Sequence, residues 1–205
     1  MNLKSRFQSK IDSVRIDHTA PHLDVAIGDK LISWFPSVPR EYVVVCIGTD
    51  RSTGDALGPL VGSFLTEMKP RHLSVFGTLE HPVHATNLHE YIKEINHVHK
   101  NPFIIAVDAC LGKTHSVGKI IATEGPLQPG AALNKPLPAV GDVHLTGVVN
   151  VSGFMEYSVL QNTRLAIVVE MAKKIAGLLE SIDYRLIHHR KAPAVVVPQI
   201  KSSTL

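Results

Sequence analysis

Two aspartates carry the strongest chemical signal in the sequence. Asp55 lies in the polar turn Gly48-Thr49-Asp50-Arg51-Ser52-Thr53-Gly54-Asp55, and Asp108 follows the apolar run Pro102-Phe103-Ile104-Ile105-Ala106-Val107. Two carboxyls in one crevice can share a proton, so that one acts as acid and the other as base on a water or a carbonyl. Each also has a purely architectural reading. Asp55 suits the start of a helix, where an acid caps free amides and complements the dipole, and Asp108 can simply bind a nearby backbone amide. His144 is a third candidate: with two carboxylates, an imidazole completes a set able to hold a divalent transition metal. No Cys-x-x-Cys spacing supports a dedicated metal cage, and a single histidine among twelve also suits a surface or core role.

The elements that must deliver these groups are legible in the hydrophobic pattern. Val43 to Ile47 is a continuous apolar run ending at Gly48, a strand buried on both faces, while Leu57, Leu60, Val61, Phe64 and Leu65 recur at helical spacing just beyond. In open parallel sheets ligands bind outside the carboxyl ends of strands, so this turn is where a site is expected. Thr49, Asp50, Arg51 and Thr53, together with His144, form the candidate substrate-binding set. Arg51 suits a substrate carboxylate or simple solvation. Ser52 and Thr53 lack the Gly-x-Ser-x-Gly elbow of a nucleophile, and no Walker sequence cradles a phosphate, which Asp50 and Asp55 would repel.

Along the chain, residues 1–20 read as a loosely docked arm and 21–35 as a first helix ended by Pro36 and Pro39. A short strand is expected at 73–79, a helix capped by Thr86 or Asn87 through Val98, and the strand that delivers Asp108 at its carboxyl end. Residues 117–123 read as a strand antiparallel to that one, 124–142 as a Pro- and Gly-rich loop, 143–149 as a strand, and 157–182 as one long helix. Strands alternating with helices imply a three-layer α/β sandwich: a mixed, mostly parallel sheet with helices on both faces. The domain plan is an arm (1–20), a single α/β domain (21–184) and a basic tail (185–205).

Composition narrows the function classes. With 205 residues and 44% hydrophobic content the chain can bury one sizeable core without staples. Cys46 and Cys110 are spaced neither for a disulfide scaffold nor for a zinc ribbon, which fits a reducing, cytoplasmic setting. No stretch reaches the ~18 apolar residues that span a bilayer, so no membrane role is expected. The net charge of +3 is not gathered in a tract and aromatics are only 5%, which argues against a nucleic-acid partner.

The segment Gly48 to Pro59 resembles the Gly-Asn-x-x-x-Thr-Pro-Asp-Ala-Leu-Gly-Pro stretch of the germination protease of spore formers and, more distantly, the Gly-Asn turn of hydrogenase-maturation endopeptidases. Ile105-Ala106-Val107-Asp108-Ala109 is similar to the second acid strand of both groups, and Gly125 to Lys135 to the germination protease's Pro-Gly-rich loop. The sequence also resembles the shorter YyaC family of spore proteins, and these resemblances together span about residues 42–155. They imply a phosphorylase/hydrolase-like fold with Asp55 and Asp108 at the two essential aspartates. The resemblance also implies that His144 corresponds to the histidine that joins two acids in nickel recognition by the hydrogenase peptidases. Thr49 and Gly54 depart from the families' asparagine and proline.

The leading expectation is a sporulation-associated endopeptidase or amide hydrolase of the forespore or spore core. Asp55 and Asp108 are its catalytic pair, a peptide or protein such as a small spore protein its substrate, and no cofactor is needed. One alternative is a non-catalytic peptide- or partner-binding spore protein. The other is a hydrolase or sensor holding zinc or nickel through Asp55, Asp108 and His144. The oligomeric state, a homo-oligomer included, stays open.

Overall fold

Tyr42, Val43, Val44, Val45 and Cys46 are all buried, so strand β2 (Tyr42–Cys46) lies sandwiched between apolar layers. Such a strand must sit centrally in its sheet. In the structure, a computed structural model describing residues 11–129 and 137–189, the sheet has the order β1-β5-β6-β4-β2-β3. Its strands are β1 (Ser13–Asp17), β2, β3 (Leu73–Phe76), β4 (Phe103–Gly112), β5 (Lys119–Glu124) and β6 (Val143–Val151). The helices are α1 (Leu23–Ser33), α2 (Leu57–Glu67), α3 (Leu88–Val98), α4 (Glu156–Gln161) and α5 (Leu165–His189). Strands β3, β2, β4 and β6 run parallel, whereas β5 is antiparallel to both β6 and β1. Among the described residues, no helix is long and apolar enough to cross a membrane.

The alternation of side chains sorts the core into two layers. Val44, Cys46, Ile105, Val107 and Leu145 pack on one face with Leu23 and Ile27 of α1, Leu57 and Val61 of α2, and Met171, Ile175 and Leu179 of α5. Val43, Val45 and Ala106 point to the other face and pack with Leu88 and Ile95 of α3. Each large aliphatic side chain buried in this way contributes roughly 1.5–3 kcal/mol. The segment between β2 and β3 travels over the first face, and the one between β3 and β4 returns over the second. The sheet therefore reverses its winding between β2 and β4, and their carboxyl ends flank the crevice such a reversal creates.

Several sequence expectations change. Ser13–Asp17 is not a loose arm but edge strand β1, with Val14 and Ile16 packed on the core and Ser13, Arg15 and Asp17 on the opposite face. The five-residue alternation is too short to stand out from its polar flanks. Strand β5 is not the neighbour of β4, because β6 lies between them and pairs parallel with β4. The single long C-terminal helix is two: Asn162 caps α4 at its carboxyl end and α5 starts at Leu165. That α5 runs on to His189 puts the first part of the expected basic tail inside a helix; the rest of that tail, and 130–136 of the Pro-rich loop, fall outside the described residues.

Candidate active site

The turn after β2 is shaped by backbone packing that leaves no room for side chains. Ile47 still donates its N–H to Val107 O at 2.7 Å, and Gly48 then turns with φ 149°. A Cβ on Gly48 would lie 2.0 Å from Asp55 O, which instead accepts the Thr49 N–H at 3.1 Å. Only glycine lets the turn close on itself here. Gly58 does the same for α2: a Cβ there would lie 2.0 Å from Ile47 O, so the helix starts hard against the end of β2. Gly54 donates to Leu160 O at 2.8 Å, tying the turn to α4. Asn150 holds α4 from the other side, donating to Val159 O at 3.3 Å and Thr163 Oγ1 at 3.2 Å.

Asp55 does not cap α2. The N-cap position is Ala56, without a side-chain capping bond, and no acid occupies the first turn. Its carboxyl is instead half-buried, and that burial pushes its pKa above the ordinary aspartate value. The neighbouring Ser52 hydroxyl opposes the shift by favouring the charged form. Ser52 is 3% exposed, and its Oγ has no well-formed hydrogen bond among the described residues, so its proton is available to the Asp55 carboxyl.

Asp108 lies inside β4 rather than at its end. β2 stops pairing at Val107, while β4 continues to Gly112 because β6 runs alongside it. Asp108 Oδ1 accepts the N–H of Ala109 at 2.7 Å, so the architectural reading holds for one of its two oxygens. Burial raises the Asp108 carboxyl to about 8; the Ala109 bond opposes this, and the charge of Asp55 adds to it. The charge of Asp55, 53 residues earlier in the sequence and in the turn after β2, thus acts on Asp108 in the neighbouring strand β4.

His144 does not join them. It pairs with Ala106, two residues back along the strands from Thr146 and Asp108, and its Nδ1 is bonded to Gly125 O at 2.8 Å. Among the described residues no three His, Cys, Asp or Glu side chains gather as a metal site would need. The expected Asp55, Asp108 and His144 triad therefore does not fit zinc or nickel, and the chemistry below uses the acids alone. Asp50 and Arg51 are exposed on the turn, Thr49 Oγ1 accepts the Arg51 N–H at 3.3 Å, and Thr53 is half-buried. A cavity of about 250 Å³ lies at the other end of the strands, lined by Phe35, Pro39, Arg40 and Tyr42; the acid pair is not part of it.

Sequence reasoning missed the neighbours of Asp108 on its own sheet face. Thr146 stands directly opposite it on β6, and Cys110 is two residues further along β4. Burial pushes the Cys110 thiol up, offset by a hydrogen bond with the Thr146 hydroxyl, while the Asp108 charge raises it and the Arg15 guanidinium lowers it. Polar residues interrupting apolar strands were the available signal; their partners could be named only from the register.

With this geometry in view, a family model described as "Protein of unknown function (DUF1256)" matches residues 15–178. The chain belongs to the DUF1256 family. It is 52% identical over 174 residues to "Uncharacterized protein YyaC" of Bacillus subtilis (strain 168), covering 82% of this chain and 85% of that protein. Among solved structures it is similar to the [NiFe] hydrogenase maturation protease HycI from Thermococcus kodakarensis KOD1. The TM-score is 0.50 at 19% identity, covering 71% of this chain and 93% of HycI. At that identity the likeness concerns the fold, and the mixed α/β sheet with helices on both faces is common to both.

Proposed function

We propose that this DUF1256 chain is a peptidase or amide hydrolase that activates water with Asp55 and Asp108. The observation that supports the reading is the placement of both acids where the neighbouring strands β2 and β4 end their pairing, with the buried Asp108 carboxyl raised to about 8 and the Asp55 charge adding to that rise. At neutral pH Asp108 is then mostly protonated and suited to act as an acid, while Asp55, assisted by Ser52, is the partner suited to carry charge and act as a base. Asp55 takes a proton from water as its oxygen attacks the carbonyl carbon, and Asp108 gives its proton to the carbonyl oxygen. On collapse that proton returns to Asp108, and the proton held by Asp55 passes to the departing amine nitrogen.

The likeness of fold to a maturation protease supports amide cleavage as the reaction class. A polypeptide substrate also fits the rim at this end of the sheet, where Phe154, Met155 and Tyr157 are exposed. The resemblance to YyaC spore proteins adds a setting, a sporulating cell in which small spore proteins are the first substrates to try.

The test is incubation of the purified chain with small spore proteins and unstructured peptides, read by mass spectrometry. Cleavage that falls about 100-fold or more in both Asp55→Asn and Asp108→Asn supports the reading. Capture of a peptide without any cleavage replaces it with the binding-protein alternative, and cleavage undiminished in both variants removes the acids from the chemistry.

A further inference from the structure

The registers of four strands place Arg15, Ile121, Thr146 and Asp108 in one row across the sheet. Arg15 pairs with Ile121, Ile121 with Thr146, and Thr146 with Asp108. All four side chains share the face opposite the main core, since Val14 and Ile16 of β1, Ile120 and Ala122 of β5, and Leu145 of β6 point into that core. On this face the apolar cluster around α3 reaches Ala106 of β4 and includes no residue of β1, β5 or β6. The row is thus a floor over which the apolar cluster around α3 does not extend, with an acid at one end and a cation at the other.

Arg15 differs from the other cation on this floor. Lys119 lies opposite Asp17 and its charge acts on that carboxylate. Arg15 makes no ion pair among the described residues, and its charge acts on the Cys110 thiol of β4. A guanidinium with a free planar fork is matched to a carboxylate, which it binds through two parallel hydrogen bonds. Three strand spacings separate the Arg15 and Asp108 backbones, roughly 14 Å. An extended chain advances ~3.3 Å per residue, so about four residues connect the two ends.

We infer that Arg15 is a specificity-determining residue that holds a substrate carboxylate about four residues from the amide positioned at Asp55 and Asp108. The inference rests on the hydrolase reading for the meaning of the acid end, but the recognition itself is a binding property. The carboxylate belongs either to the carboxyl terminus of the ligand or to an acidic side chain; Thr146 and Ile121 form the surface between.

Binding measured on the Asp108→Asn protein, which cannot turn substrate over, separates this inference from the catalytic one. The probes are fluorescein-labelled Val/Ala pentapeptides: one with a free carboxyl terminus, one amidated and neutral, and an amidated series with Glu at each position in turn. The expected result is that the free acid, or one Glu peptide, binds about tenfold or more tighter than the neutral amide. That advantage should disappear with Arg15→Gln, persist in part with Arg15→Lys and persist fully with Lys119→Ala. Equal binding of acidic and neutral peptides, a preference that survives Arg15→Gln, or no binding of any peptide at millimolar concentration each overturns the inference. Loss of the preference in Lys119→Ala as well reduces it to general charge attraction and overturns it too. A protein that prefers acidic peptides yet cleaves nothing retains the Arg15 assignment and loses the hydrolase.

Discussion

Asp108 stands directly opposite Thr146 in the parallel pairing of β4 with β6, one residue past the last residue of β4 that pairs with β2. The carboxyl thus emerges where the sheet loses a strand on one side and keeps it on the other. There it is buried, and the charge of Asp55 from the turn after β2 acts on it.

This position sets the pH dependence of turnover. With Asp108 raised to about 8, the acid it supplies is lost as pH climbs through that value, so kcat/KM should fall above about pH 8. The base limb belongs to Asp55, whose burial lifts it above the usual aspartate value, and activity should decline again on acidification toward that range. A profile flat from pH 6 to 9.5 would show that neither carboxyl takes part.

The same shift has a cost in stability. An acid raised from 3.8 to about 8 on folding holds more protons in the native than in the unfolded state across that window, so stability drops as pH rises through it. Asp108→Asn removes the titrating group while its amide oxygen can still accept the Ala109 N–H. The variant should therefore melt at higher temperature than the parent at pH 8, with the difference vanishing near pH 4, in calorimetry at both pH values. A lower melting temperature at pH 8 would contradict the burial assigned to this carboxyl.

Asp183 is the second aspartate that organises the fold, and it does so without chemistry. From α5 its buried carboxylate accepts the N–H groups of Arg71 at 2.9 Å, His72 at 2.7 Å and Leu73 at 3.0 Å, pinning the entry into β3. Asp183→Ala strands three donors, and urea unfolding should record a loss of about 3 kcal/mol or more. A loss under about 1 kcal/mol would mean that the β3 entry finds other acceptors.

Gly48→Ala tests the turn itself. The added methyl meets Asp55 O at 2.0 Å and the Pro59 ring at 2.9 Å, at a φ of 149° that L residues rarely adopt. The turn must open and carry Asp55 away from Asp108. The expected outcome is a folded but destabilised protein, by circular dichroism and melting, with activity reduced at least as far as in Asp55→Asn. Retained activity would separate the turn's geometry from the chemistry.

The elements that bury an apolar face were legible because hydrophobic periodicity is local. The runs around Val44 and Ile105, the stripe of α3, and the packing of Val168, Met171, Ile175, Leu179 and Ile182 along α5 all follow from it. The adjacency of the strands that carry Asp55 and Asp108 to one crevice followed from the strand-end rule, although β4 turned out to run past its acid. What stayed hidden depends on which strand lies beside which. The insertion of β6 between β4 and β5, the docking of β1, and the row joining Arg15 to Asp108 are properties of register, set by contacts remote in sequence. The break before Thr163 carries neither proline nor glycine, so the apolar stripe seemed continuous across it.

Strand β1 also shields a vulnerability. Behind it, β5 carries Ile120, Ile121 and Ala122 in a row, and β1 occupies every hydrogen-bonding position along that side. Trimming the chain back to Pro21, which the sequence alone invites, would bare an aliphatic border ready to recruit strands from other molecules. Shortened versions of the protein should accordingly clump on expression, for reasons unrelated to the chemistry at the far side of the sheet.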